Sequence, residues 1–225
     1  MARRSRQMDL PVPNGWGGAR SGAGRPPAPG RPRMGHDRRE KHEPRHPALL
    51  TLRADRGVPS LRSIALFRAI RDVIARTDDA AFRILHFSVQ QDHVHAIVEA
   101  DSHDALSRGI RSFVIRIAFA IRRVARVRKV WGDRYHARAL TTPREVRHAI
   151  AYTLLNFRKH LRAPAGIDPC SSGPWFSGWL QPARPPSLPS PTATPRTWLA
   201  AVGWRRGGGP IHTHEEPGPA RKFSR

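Results

Sequence analysis

The stretch 82–98, FRILHFSVQQDHVHAIV, decides the fold of this chain. Apolar residues alternate with polar ones on both sides of a central Gln-Asp pair, which is typical of two β-strands joined by a tight turn. Successive side chains of a strand point to opposite faces, so His93 and His95 share one face while Val94 lies on the other. The sequence therefore predicts a β-hairpin that presents two histidines side by side.

Strands and helices alternate on either side of this hairpin. The apolar patterns predict a strand at 48–52, a helix that ends near Arg76, a long helix capped by Ser102, a strand at 138–141 and a final helix. The TPRE sequence at 142–145 has the form of a capping box with proline at the first helical position. The order β-α-β-β-α-β-α predicts an α+β fold of ferredoxin-like type, with helices on an antiparallel sheet.

Proline and glycine mark the ends of the folded region, because the 22 Pro and 18 Gly are concentrated in the two terminal parts of the chain. Such segments bury too little apolar surface to offset the entropy lost on ordering. The prediction is a disordered basic arm at 1–46, a core domain at 47–163, an aromatic segment that packs on the core at 164–180, and a disordered tail at 181–225.

The charge is strongly unbalanced, with 40 Lys and Arg against 17 Asp and Glu and a net charge of +23. A polyanion, by default nucleic acid, is the partner that such a charge favours. No apolar run is long enough for a transmembrane helix, and the N-terminus lacks the apolar region of a signal peptide, so no membrane association is expected. The single cysteine, Cys170, excludes an intramolecular disulfide and a multi-cysteine zinc site.

Two histidines on one strand face can share a divalent metal ion, although two half-buried core histidines would give the same pattern. The last helix adds Tyr152 and Asn156, which are four residues apart and so share one helix face. A phenol is a poor nucleophile until a metal or cation assists the reaction, and an amide oxygen is a neutral metal ligand. The pair His212-Thr213-His214 lies in the Pro/Gly-rich tail, where no strand is predicted, and is interpreted as coincidental.

The stretches 82–100 and 131–160 (WGDRYHARALTTPREVRHAIAYTLLNFRKH), with DPCSSGPWFSGW at 168–179, resemble the bacterial REP-associated tyrosine transposases of the insertion-sequence-200-like family, which are HUH single-strand endonucleases. The resemblance implies that His93, His95 and Asn156 hold Mg²⁺ or Mn²⁺. It also implies that Tyr152 attacks single-stranded DNA next to a hairpin, leaving a 5′-phosphotyrosine and a free 3′-OH. Many relatives have Pro-Val after the asparagine, where this chain has Phe157.

The resemblance further implies a bacterial cytoplasmic protein associated with the nucleoid. The long helix and the residues after it contain no acidic residue between Asp104 and Asp133. DNA contacts are predicted for the basic residues of this region and one tryptophan, namely Arg108, Arg111, Arg122, Arg123, Arg126, Arg128, Lys129, Trp131 and Arg134. The alternative is an ordinary solvated face. Trp131 is either a base-stacking surface or a core residue. Ile115 and Phe119 are apolar and lie near the same face, so a homodimer that buries them is an alternative use of this face.

Four further residues have possible roles that the sequence suggests. If the hairpin turn is two residues long, Gln90 and His86 share the histidine face and are candidates to support the metal ligands. Glu99 is interpreted as a plain surface carboxylate at the strand end. Tyr135 is the alternative nucleophile. The alternative functions are a non-catalytic relative that binds DNA or RNA hairpins, and a basic structural nucleoid protein.

Overall fold

The computed structural model describes residues 41–77, 79–158, 165–181 and 184–216 of the chain. Its regular elements follow the predicted order. They are β1 (Ala48–Arg53), α1 (Ile64–Ala75), β2 (Phe82–Val89), β3 (His93–Ala100), α2 (His103–Ala125), β4 (His136–Ala139), α3 (Pro143–Leu155) and α4 (Trp198–Ala201). Two short 3₁₀ helices, Gly173–Trp175 and Gly203–Gly207, lie in the C-terminal part.

The four strands form one antiparallel sheet in the order β2-β3-β1-β4. This is the arrangement of a ferredoxin-like fold, and it confirms the predicted fold class. The hairpin turn between β2 and β3 is two residues long, because the backbone N–H of Gln90 donates to the carbonyl of His93 at 2.8 Å. A register shift between Ile84 and His86 places a bulge in β2.

The sheet separates two hydrophobic cores. Alternate residues such as Leu50, Val94 and Val98 pack with α1 and α2 in the first core. The residues between them, including Leu49 and Ile97, pack with α3 and the C-terminal segment in the second core. Because strand side chains alternate, His93 and His95 must lie on the side of the second core. The helix α3 is therefore the helix that faces the two histidines.

The predicted helix caps are present. The Ser102 hydroxyl accepts from the backbone N–H of Ala105 at the start of α2. Thr142 and Glu145 form the full capping box of α3, with Pro143 in the first turn. Such caps satisfy backbone donors that a helix start leaves unpaired. None of the helices in the described part of the chain has the length and apolar character that crossing a bilayer requires.

The outer edge of β2 is covered by the segment that follows α3. The backbone of Val89 donates to the carbonyl of Cys170, and the backbone of Ser172 donates to the carbonyl of Phe87, at 2.8 and 2.9 Å. A buried Asp168 anchors this segment through a two-pronged ion pair with Arg62, at 2.7 and 2.8 Å. Charge-assisted bonds of this geometry are among the stronger ones in proteins.

The prediction of a disordered tail from residue 181 is wrong for 184–216. This segment contains α4, and it buries Leu199, Trp204 and Ile211 against α3 in the second core. Glu99 is fully buried beneath it, which also corrects the prediction of a surface carboxylate. Few but large apolar side chains are enough here, because α3 exposes a second apolar surface that they cover.

Three smaller predictions are also corrected. The fourth strand is His136–Ala139 rather than 138–141, so it starts earlier. Val124, predicted in the buried stripe of α2, is 39% exposed in the last turn of that helix. Residues 41–46, part of the predicted disordered arm, are described, and His42 is buried with its Nε2 3.2 Å from the carbonyl of Ala100. The rest of that arm, 1–40, lies outside the described residues.

Candidate functional site

His95 lies in the middle of a row of four residues that crosses the sheet. His95 is directly opposite Thr51 of β1 on one side and Ser88 of β2 on the other, and Thr51 is opposite His136 of β4. All four side chains belong to the face that carries α3. His93 lies next to this row, with its ring centroid 4.6 Å from that of His95. The predicted pairing of the two imidazoles is therefore present.

Each imidazole is oriented through its Nδ1 atom. His95 Nδ1 lies 3.0 Å from the hydroxyl of Thr51, and His93 Nδ1 lies 2.7 Å from a carboxylate oxygen of Asp92. Burial alone would raise the pKa of Asp92, but the hydrogen bond from His93 and the charges of His93 and Arg53 together outweigh it, and the pKa is below its ordinary value. Metal-binding histidines usually engage one ring nitrogen in this way, which sets the tautomer and directs the other nitrogen to the ion.

The helix α3 brings Tyr152 and Asn156 onto the same histidine. The ring centroid of Tyr152 is 5.0 Å from that of His95. The amide nitrogen of Asn156 lies 3.4 Å from His95 Nε2. Asn156 is the C-cap of α3, and it is almost completely buried. The helix face that carries Tyr152 and Asn156 therefore meets the strand face that carries the histidines. The four residues His93, His95, Tyr152 and Asn156 form one cluster.

The environment of Tyr152 keeps its phenol neutral. Burial raises the pKa of Tyr152 above its ordinary value, while a hydrogen bond from Asn156 lowers it in part. Because the asparagine amide donates to the phenol oxygen, it favours the phenolate. The cluster thus holds the hydroxyl in place and contains one group that stabilises its deprotonated form.

The cluster fits a divalent cation by the chemistry of its donors. Two imidazole nitrogens and one amide oxygen make a mixed donor set that suits Mn²⁺ or Mg²⁺ with water in the remaining positions. Among the described residues, no group of three or more His, Cys, Asp and Glu side chains is placed to hold a metal. The third donor here is an amide, Asn156, which lies outside those four residue types.

The structure separates most of the predicted DNA-binding residues from this cluster. Arg108, Arg111, Arg122 and Arg123 are exposed on α2, which packs on the opposite face of the sheet. The remaining predicted residues, Arg126, Arg128, Lys129, Trp131 and Arg134, follow α2 along the chain. The predicted set is therefore not one surface with the histidines.

Two members of that set have structural roles of their own. The Trp131 indole packs on the first core, and its N–H donates to the carbonyl of Val114 at 3.2 Å. This is the core position that the sequence left open as the alternative to base stacking. Lys129 lies 2.6 Å from a carboxylate oxygen of Asp55. Its ammonium group is therefore paired within the chain.

The structure shows a basic groove that the sequence interpretation missed. It has a volume of about 740 Å³ at the start of α3, and its lining residues are Arg138, Thr142, Arg144, Glu145, Arg147, His148 and Gly207. Arg138 and Arg147 are paired with Glu145 and Glu215 at 3.1 and 2.7 Å.

Arg144 is exposed and has no carboxylate partner within the described residues. The spacing of Arg144, His148, Tyr152 and Asn156, four residues each time, was a signal that could have located this groove.

No protein-family model and no curated protein matches the chain. Among solved structures the chain is similar to one with 20% sequence identity and a TM-score of 0.48, over 59% of this chain and 78% of that one. That protein is a REP-associated tyrosine transposase, bound to a REP hairpin.

The second tyrosine and the second histidine pair of the sequence make other contacts. Tyr135, the second candidate nucleophile, packs on the first core, across the sheet from the histidines. His212 and His214 have their ring centroids 4.9 Å apart in the C-terminal segment, where His212 Nε2 lies 2.9 Å from the Gln181 amide. Tyr152 is therefore the tyrosine that the fold brings to the histidine pair.

Proposed function

We propose that this chain is a metal-dependent single-strand DNA endonuclease and strand transferase that works through a covalent bond to Tyr152. The observation that supports this most is the convergence of Tyr152 and Asn156 on His95 and His93 across the sheet. A half-buried phenol beside two oriented imidazoles and an amide is an arrangement suited to nucleophilic attack at phosphorus. The high positive charge of the chain suits a nucleic acid substrate.

In the proposed reaction the phenol oxygen of Tyr152 attacks the phosphorus of a DNA phosphodiester. The new O–P bond forms as the bond from phosphorus to the 3′ oxygen breaks, which leaves a 5′-phosphotyrosine and a free 3′-OH. The phenol proton leaves Tyr152, and the departing 3′ oxygen gains a proton. Asn156 assists the first transfer because its hydrogen bond stabilises the phenolate. The reverse attack by a 3′-OH would join strands.

His93, His95 and Asn156 are the residues that would hold the divalent cation. When bound, such a cation polarises a phosphate oxygen and makes the phosphorus more electrophilic. Thr51 and Asp92 orient the two imidazoles for that role through Nδ1.

The basic groove at the start of α3 is the surface that we assign to the DNA strand next to the scissile bond. Arg144 and His148 lie on the helix face that continues to Tyr152, and Arg138 lies on the sheet face of the histidines. DNA binding by Arg144→Gln, in this groove, is compared with DNA binding by Arg108→Gln, on the predicted α2 surface. We expect Arg144→Gln to weaken binding of single strands and to reduce the salt slope by about 1, with little effect from Arg108→Gln.

The test of the chemistry uses purified protein, Mn²⁺ and single-stranded hairpins from the DNA that flanks the gene, labelled at the 5′ or 3′ end. On a denaturing gel, we expect a protein-linked band that carries the 3′ fragment. Tyr152→Phe removes the band and keeps DNA binding, whereas Tyr135→Phe, the matched control, keeps both. His93→Ala also removes the band.

Other results would contradict the proposal. Tight binding of hairpins without a covalent band for any of them would favour the non-catalytic binding module. A metal-dependent band that persists in Tyr152→Phe and disappears in Tyr135→Phe would show that the nucleophile is Tyr135, on the other face of the sheet.

A further inference from the structure

Gln90 has a buried amide whose oxygen has no partner in the described part of the chain. The side chain is 0% exposed, and its Nε2 donates to the hydroxyl of Ser88. The Oε1 atom finds no hydrogen-bond donor among the residues that the structure describes. A buried polar atom without a partner costs on the order of 1–3 kcal/mol, and such atoms are few in native proteins. This oxygen therefore requires an explanation.

The register of the hairpin places this amide beside the histidine pair. Gln90 and His93 close the two-residue turn, and Ser88 is directly opposite His95. Phe87 and Val89 belong to the first core, so Ser88 and Gln90 point to the other face, which is that of the histidines. Side chains opposite each other on one face have their Cβ atoms about 5 Å apart. Gln90 is thus opposite His93, and its amide contacts Ser88, the residue opposite His95.

We propose that Gln90 Oε1 is a further oxygen ligand of the divalent cation, an assignment that rests on the proposed function. An amide oxygen is a neutral, hard donor of the kind that Mg²⁺ and Mn²⁺ prefer, and these ions accept more ligands than two histidines and one asparagine supply. Ser88 is the positioning residue. Its hydroxyl accepts from Nε2, which leaves the oxygen end of the amide without a donor among the residues of 41–77, 79–158, 165–181 and 184–216.

His86, which lies on this face of β2 two residues before Ser88, makes different contacts. It is directly opposite Ile97, and its ring packs edge-on against Phe176 with centroids 5.3 Å apart. Gln90, which directly follows β2, is therefore the residue of this hairpin that the observations connect with the cation.

The experiment measures Mn²⁺ affinity of the full chain without DNA, by electron paramagnetic resonance of the free ion. Gln90→Met keeps the length of the side chain and removes the ligand oxygen, and we expect affinity to fall on the order of tenfold or more. Gln90→Glu supplies a charged oxygen and should bind at least as tightly as the native protein. Gln91→Met, at the exposed neighbouring position, is the matched control and should have no effect. Thermal unfolding of each variant monitors the fold.

The outcomes separate this inference from the proposed function. If the native protein binds no Mn²⁺, the metal site itself is wrong. If the native protein binds and His93→Ala does not, but Gln90→Met binds like the native protein, the role of Gln90 is overturned and the proposed function stands. If Gln90→Glu binds more weakly than the native protein, Gln90 is a donor and not a ligand, which also overturns the inference.

Discussion

Replacing Thr51 by valine tests how the fold orients the histidine that contacts both Tyr152 and Asn156. Thr51 Oγ1 lies 3.0 Å from His95 Nδ1, and the two residues are direct neighbours across β1 and β3. Valine has nearly the same shape and is favoured in strands, so the sheet should be retained. What changes is the hydrogen bond between Thr51 and His95, which sets the tautomer of His95 and keeps its Nε2 towards Asn156.

The expected size of the effect follows from this bond. Loss of a group that orients a metal-binding histidine typically costs about 10- to 100-fold in metal affinity, which corresponds to about 1.4–2.7 kcal/mol. An Nδ1–H left without its acceptor in a buried site has a penalty of similar size, about 1–3 kcal/mol. His95 is only 4% exposed, so water does not readily replace the hydroxyl. We therefore expect Mn²⁺ affinity and the free energy of unfolding to decrease together.

The assay is a Mn²⁺ titration of Thr51→Val, with nitrogen NMR of the His95 ring to report the tautomer. Thr153→Val is the matched control, because Thr153 is also buried and its hydroxyl has no partner among the described residues. That variant should bind Mn²⁺ like the native protein, with its stability unchanged or increased by about 1 kcal/mol. The reasoning is refuted if Thr51→Val binds Mn²⁺ as tightly as the native protein while His95→Ala does not bind.

Three further predictions concern the rest of the molecule. Glu99 accepts from the backbone and the hydroxyl of Thr197 at 3.0 and 2.7 Å and lies 3.5 Å from the buried guanidinium of Arg83, so Glu99→Ala should destabilise the chain by about 3–5 kcal/mol. Limited proteolysis should then cleave near 196–201, and an unchanged cleavage pattern would contradict this.

Arg126 ends α2 with a φ of 54°, so Arg126→Gly should raise the melting temperature through a gain of about 1 kcal/mol, and a lower value would count against it. Because burial raises the pKa of Tyr152, the reactive phenolate fraction keeps increasing with pH, and the initial rate of adduct formation should rise from about pH 6 to about pH 9 without a plateau.

The parts of the fold that were predictable have local causes. The capping box at Thr142 and Glu145 and the cap at Ser102 are sequence patterns that act within one helical turn. The hairpin was predictable because its strands alternate and its turn is short. By contrast, 184–216 reads as a disordered tail, since its composition is rich in proline and its apolar residues are sparse. Only the apolar surface of α3, which Trp204 and Leu199 cover, makes that segment fold.

The candidate site shows the same division. Tyr152 and Asn156 were predictable as a pair from their spacing, and so were His93 and His95. Thr51 was not, because its position beside His95 depends on β1 lying between β3 and β4. The α2 arginines were assigned to the site on charge alone, and charge does not say on which side of a sheet a helix packs.

By itself, the sequence determined every relation that depends on the geometry of one element. The pleat of a strand puts His93 and His95 on one face, and the pitch of a helix puts Tyr152 and Asn156 on one side, whatever surrounds them. The tertiary structure decided which of these faces meet. It placed α3 on the face of the histidines and α2 on the other, and it buried Gln90 and Glu99. Those contacts depend on strand order and on the packing of distant segments, which no local pattern in the chain specifies.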